Sequence, residues 1–150
     1  MTRVYESLIT KMPNNTNVLN NLAYILAENN QDLDKALEYI KRANELKAND
    51  AGYMDTYALV LYKQGKFEEA LEISQAAIQL YEIQQAPVTR DVYEHLGQIQ
   101  ERLGNGQQAL AAYKQALEVG GENTPKEARE RLTAAIERLG KAKDSENGQK

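Results

Sequence analysis

His95 is the only histidine in this 150-residue sequence, and there is no cysteine. A general base near neutral pH is most often a histidine, and nucleophilic catalysis or transition-metal binding needs His and Cys side chains in combination. One histidine on a helical face cannot assemble such a set. The carboxylate pairs are no more specific: Glu68 with Glu69, and Glu127 with Glu130, sit in charge-rich helical runs whose plain role is a solvated face. Gly104-Asn105-Gly106 is glycine-rich, but it lacks the following lysine and the preceding strand of a phosphate-cradling loop, and it reads as a turn between helices. No enzyme, metal or cofactor is expected from these residues.

The bulk properties narrow the partners. The sequence carries 18 Lys and Arg against 22 Asp and Glu, a formal charge of −4, with 42% hydrophobic and 27% charged residues. Such a composition belongs to an ordinary folded domain. A net acidic surface without a basic run argues against nucleic acid or an anionic membrane as partner. No apolar stretch reaches the roughly 20 residues of a membrane span, so the chain is expected to be soluble, without direct membrane insertion. Either a cytoplasmic or a periplasmic setting would suit it, depending on any parent protein.

The elements that must position these residues repeat. Leu19-x-x-Leu22-Ala23 with Ala36-x-x-x-Ile40, Met54-x-x-Tyr57-Ala58 with Ala70-x-x-x-Ser74, and Tyr93-x-x-Leu96-Gly97 with Ala109-x-x-x-Tyr113 open 35 and then 39 residues apart, counted from Leu19 to Met54 to Tyr93. That is the period of a two-helix solenoid repeat. Helical spacing runs from Val18 to Leu26 and from about Leu33 to Leu46, then from about Gly52 to Lys63 and from Phe67 to about Tyr81, then from about Val88 to Leu103 and on to about Val119. Gly65 and Gly104 supply permissive backbone at the tight connections. The segment Glu82–Pro87 accounts for the longer second spacing, as about one extra turn of helix. Close crossings are expected at Ala23 with Ala36, Ala58 with Ala70, and Gly97 with Ala109, where only small residues let the backbones approach.

The two ends differ from the middle. Val4, Tyr5, Leu8, Ile9 and Met12 form one stripe ending at Pro13, as in the second helix of a pair whose first helix is missing. This suggests the C-terminal part of a longer repeat protein. At the other end, Thr124 is placed as an N-cap, Pro125 as the first helical residue and Glu127 as the capping-box partner. Ala128, Leu132, Ala135, Ile136 and Leu139 would cover the last apolar face while Arg129, Glu130, Arg131, Glu137 and Arg138 turn to water. Gly140 is expected to stop this helix. The boundaries are therefore 1–13 for a half repeat, 14–49, 50–87 and 88–121 for three repeats, 122–140 for a capping helix and 141–150 for a disordered tail.

These residues resemble the tetratricopeptide repeat, Trp-x-x-Leu-Gly-x-x-Tyr followed by Ala-x-x-x-Phe, an alanine and a closing proline. The sequence departs from it in having no tryptophan, in Gln100 at a usually aromatic place, and in Ala48, Glu82 and Gly121 where prolines close the repeat. Leu19–Tyr24, Asp55-Thr56 and Leu61–Gly65 are similar to stretches of bacterial multi-repeat members that serve cell-envelope assembly or export. The resemblance implies an all-α fold, a right-handed α-solenoid of antiparallel helix pairs with a C-terminal capping helix, and a concave groove that binds a protein or peptide, as a scaffold within a larger protein. The groove residues it implies are Asn17, Asn20, Asn21, Tyr24 and Glu28; Asp55, Thr56, Leu59, Tyr62 and Lys63; and Asp91, Glu94, His95, Gln98, Glu101 and Arg102. The clamp for a terminal carboxylate is not matched. Asp91, Glu94 and Glu101 would make part of the groove acidic and favour a partner with a basic segment.

Nine tyrosines against one phenylalanine add hydrogen-bonding rings suited to contacts, with Tyr24 and Tyr62 placed for that role and Tyr5, Tyr57, Tyr93 and Tyr113 at helix-packing positions. A rival reading is self-assembly: Val4, Leu8, Ile9 and Met12 would offer an apolar stripe to a second copy, giving a homodimer through the N-terminal helix.

Overall fold

The computed structural model describes residues 2–147, with eight α-helices and one short 3-10 turn among them. The side chains of Tyr5 and of residues 143–150 lie outside the described residues, as does the last part, 148–150, of the expected tail. The helices divide into two units, residues 1–85 and 86–150.

The first unit contains α1 (Thr2–Lys11), α2 (Thr16–Glu28), α3 (Leu33–Leu46), α4 (Ala51–Lys63) and α5 (Phe67–Ile83). Its starts and stops follow from local chemistry. The Asn15 side chain accepts from the Val18 N–H at 3.1 Å and caps α2, and Asp50 accepts from Tyr53 N–H at 3.1 Å to cap α4. At the far end of α4, Gly65 takes φ +79° and the Lys66 N–H reaches back to the Leu61 carbonyl at 3.0 Å, a closure that only a left-handed residue permits. The end of α2 closes the same way with asparagine: Asn30 has φ +49°, and Gln31 N–H donates to the Leu26 carbonyl at 2.9 Å. Just beyond, Asp32 also turns left-handed at φ +43° before α3 begins, so this connection is one residue longer than the α4–α5 turn.

Leu19, Leu22, Ala23 and Leu26 of α2 are buried against Ala36, Ile40 and Ala43 of α3, and Tyr53, Leu59 and Val60 of α4 continue this core. Ala23, Ala36, Ala58 and Ala70 are fully buried, at the places where the sequence demanded small residues. Ser74 is also fully buried, and its hydroxyl finds no hydrogen-bond partner. The helix α5 is 17 residues long against 14 for α3, about one turn more, and is followed by Gln84 and by Gln85 at φ +53°.

The second unit contains α6 (Arg90–Arg102), α7 (Gly106–Gly120), a 3-10 turn (Gly121–Asn123) and α8 (Lys126–Asn147). The α6–α7 turn repeats the closure of α4–α5: Gly104 has φ +79° and Asn105 N–H donates to the Gln100 carbonyl at 2.9 Å. Ala109, Tyr113 and Ala116 of α7 pack with Leu132 and Ala135 of α8. A methyl group at Gly97 would stand 2.5–2.9 Å from three carbons of the Tyr113 ring, so the ring occupies the space that glycine leaves.

Three expectations about α8 are corrected. It does not stop at Gly140 but runs to Asn147, because Gly140 keeps helical backbone and an interior glycine costs a helix only about 1 kcal/mol relative to alanine. The residues 141–147 assigned to a disordered tail are therefore helical. Thr124 does not cap the helix with its side chain; its hydroxyl donates at 2.9 Å to the Gly121 carbonyl of the preceding turn, and the first backbone bond of α8 runs from Arg129 N–H to the Pro125 carbonyl at 2.9 Å. Arg131 and Arg138 are not simply turned to water, since both reach carboxylates of α6.

Candidate partner-binding site

In the first unit, α2 and α4 pack side by side, and the residues implied by the repeat pattern fall along them. On α2, Asn17, Asn21, Tyr24 and Glu28 are exposed, and Asn20 is half-buried. Their spacing of four, three and four residues puts them on one stripe. On α4 the stripe is mostly sunk: Asp55, Thr56 and Leu59 are buried, while Tyr62 and Lys63 are half-buried. Tyr62 leans on Phe67, with ring centroids 5.7 Å apart at 57°. Lys63 Nζ lies 3.7 Å from Glu28 Oε1, so two residues implied as contacts pair with each other across α2 and α4.

One organising residue was not singled out by the sequence. The Tyr53 hydroxyl donates to Asn17 Oδ1 at 2.6 Å and lies 3.0 Å from Thr16 Oγ1, while its ring carries Lys47 Nζ at 5.3 Å and is buried. Lys47 is in turn paired with Asp50 at 2.8 Å, which raises the lysine's pKa above its ordinary value. The signal available was a tyrosine one turn into α4 behind an Asp cap, but the hydroxyl's partner lies 36 residues back. Nearby, Tyr81 has its pKa raised, first by burial and then by the carboxylates of Asp55 and Asp50.

In the second unit, the α6 residues separate into two groups. Glu94 and His95 are buried, Gln98 and Glu101 half-buried, and Asp91 and Arg102 exposed. Glu94 accepts from Arg131 Nε at 2.6 Å. Glu101 accepts from the Tyr113 hydroxyl at 3.0 Å and is paired with Arg138. Glu94 and Glu101 are seven residues apart, as are Arg131 and Arg138, so two turns of α6 match two turns of α8. Gln100, the departure from an aromatic position, is buried and accepts from Asn105 Nδ2 at 2.8 Å. Among the described residues, no group of three His, Asp or Glu side chains gathers as metal ligands, and no helix is long and apolar enough to cross a membrane.

This architecture can be compared with known proteins. Residues 16–50 and 49–120 each match a sequence model of the tetratricopeptide repeat. The chain belongs to the tetratricopeptide-repeat family. A TPR repeat-containing protein of Pseudomonas aeruginosa, PA4667, is 31% identical over 91 residues, 61% of this chain but 14% of that protein's length. The chain thus spans a small part of the curated relative it matches. Among solved structures, TTC0263, a thermophilic TPR protein of Thermus thermophilus, superposes with a TM-score of 0.71 at 20% identity over 90% of this chain and 71% of that one. YrrB, described as a TPR protein with an unusual peptide-binding site, superposes with a TM-score of 0.66 at 19% identity, over 96% and 70%. At these identities the likeness is one of tetratricopeptide-repeat fold.

Proposed function

We propose that this chain is a protein-interaction module that takes a peptide or protein segment on the face formed by α2 and α4, as a scaffold within a larger assembly and without catalysis. The observation that carries this reading is the exposed stripe Asn17, Asn21, Tyr24 and Glu28, with Asn20, Tyr62 and Lys63 beside it, on helices whose opposite side already fills the core. Because Asn17 Oδ1 accepts from Tyr53, its Nδ2 is the group left to face a partner, and a peptide carbonyl is the matching acceptor. Tyr24 supplies the amphipathic ring that such contacts favour. The peptide-binding site attributed to YrrB supports the reading by analogy of fold.

On α6, Gln98 and Arg102 are the contact residues of the second unit in this reading. Glu94 and Glu101 hold Arg131 and Arg138, Glu28 is paired with Lys63 and Asp91 with Arg90, so each of these four carboxylates already has a cation and none of them carries a preference for a basic partner segment. A pull-down with the whole chain as bait would supply a partner, whose affinity is then measured by calorimetry. Changing Asn17, Asn21 and Tyr24 together to alanine is expected to weaken it by at least about tenfold, the size of one or more interface hot spots. Unchanged affinity with an unchanged circular dichroism spectrum would move the site elsewhere.

A second reading is favoured by α1 and the residue that follows it, where Val4 and Met12 are 63% and 41% exposed and Leu8 and Ile9 are half-buried. That stripe would pair with a second copy. Light scattering would then show a dimer that Leu8→Lys with Ile9→Lys returns to monomer, and a concentration-independent monomer of the unchanged chain rejects it.

A further inference from the structure

We propose that Asn105 is a site of spontaneous deamidation, converted to aspartate or isoaspartate through a cyclic imide with Gly106, and that its hydrogen bond to Gln100 sets the rate. The sequence has two Asn-Gly steps, at 105–106 and 147–148, the latter lying partly outside the described residues. Glycine after asparagine leaves the approach of the main-chain nitrogen to the side-chain carbonyl unobstructed. At Gly106 packing adds no obstacle, since a methyl group there would meet nothing nearer than Leu139 Cδ2 at 4.0 Å. Gly106 is also the first residue of α7, where the N–H has no intrahelical acceptor to give up.

The chemistry is balanced with water alone. The Gly106 nitrogen loses its proton to hydroxide and attacks Asn105 Cγ. The new C–N bond closes a succinimide, the Cγ–Nδ2 bond breaks, and ammonia leaves with a proton from water. A second water opens the ring at either carbonyl, so an amide and water become a carboxylic acid and ammonia with no change of oxidation state. Opening at the main-chain carbonyl lengthens the backbone of the α6–α7 turn by one methylene.

The fold opposes the first step at three points. Asn105 Nδ2 donates to Gln100 Oε1 at 2.8 Å, its N–H donates to the Gln100 carbonyl at 2.9 Å, and its carbonyl accepts from Ala109 N–H at 2.9 Å. Cyclisation requires the side-chain amide to swing from Gln100 toward Gly106, and Gln100 is only 7% exposed, so its acceptor is left buried and unsatisfied. That bond is specific to this turn: the matching α4–α5 turn has Lys66 where Asn105 stands.

The test uses the whole chain at mildly alkaline pH, with peptide mapping by mass spectrometry at residues 105 and 147 over time. Native chain is expected to convert Asn105 more slowly than the same chain in urea, and folded Gln100→Met, which keeps the length but removes the acceptor, is expected to convert it about fivefold faster than the native chain. Gln100→Glu keeps an acceptor and is expected to stay slow, and neither substitution should alter the rate at Asn147 relative to the unchanged folded chain. Equal rates at Asn105 in folded Gln100→Met and folded unchanged chain overturn the role of Gln100. If Gln100→Met does not fold, equal rates for unchanged chain with and without urea overturn the protection, and no conversion at Asn105 in urea overturns the site.

Discussion

Gly97→Ala is expected to lower the stability of the chain by about 1–3 kcal/mol, and Gly97→Val by more. The cause is local. The added carbon would stand at 2.5–2.9 Å from Cε1, Cδ1 and Cζ of Tyr113, and that ring cannot easily move, being 4% exposed with its hydroxyl held by Glu101. In the first two repeats alanine occupies the position of Gly97, with Ile40 or Ser74 at the position of Tyr113. The third repeat has the smallest residue paired with the largest. Shrinking the ring should therefore rescue the change: Gly97→Ala with Tyr113→Leu is expected to be more stable than the sum of the two single costs predicts, by about 1 kcal/mol or more. Urea unfolding of the four chains measures this, and strict additivity would mean that the two residues do not share the space.

Arg131→Met is expected to cost about 2–4 kcal/mol, while Arg138→Met costs clearly less. Removing one partner of a buried ion pair leaves the other charge uncompensated, an effect of about 3–5 kcal/mol when both are buried. Here the Glu94 side chain is 6% exposed but Arg131 is 57% exposed, and solvent screening reduces the figure. Glu101 is 31% exposed and keeps the Tyr113 hydroxyl when Arg138 is removed. Replacing both partners, Glu94→Met with Arg131→Met, should recover most of the loss, since an apolar pair leaves no stranded charge. Equal losses for Arg131→Met and Arg138→Met in urea unfolding would contradict the difference in burial.

The helix pairs were legible because their determinants are local. Apolar residues at helical spacing, alanines at the crossings, and Gly65 and Gly104 between the paired helices are all visible in the sequence, and the helices fall within a residue or two of the expected places in most cases. The first repeat's turn was less legible, since two left-handed positions, Asn30 and Asp32 on either side of Gln31, carry no glycine to announce them. The end of α8 was misjudged for the opposite reason: Gly140 looks like a stop, but Lys141, Ala142 and Lys143 directly after it are good helix formers and no left-handed closure forms. The candidate site was legible as a stripe and not as a surface. Nothing in the single-helix pattern distinguishes exposed Asn17 and Tyr24 from Asp55, Thr56, Glu94 and His95, which neighbouring helices bury. The hydrogen bond from Tyr53 to Asn17 and the pairs of α8 with α6 join residues 36 and 37 positions apart, beyond what periodicity can report.

The matched spacing of Glu94 and Glu101 with Arg131 and Arg138 gives α8 only one satisfactory seat. A stripe of small apolar residues tolerates sliding, because one alanine replaces another about every turn. The carboxylates do not. A slide of about one turn along α6 would set Ala135 and Ala142 against the two glutamates, and a slide the other way would bring Glu127 against Glu94. The arginines thus act as the two teeth of a key, and the helix that closes this chain is indexed to its neighbour by charge where its greasy face alone would let it drift.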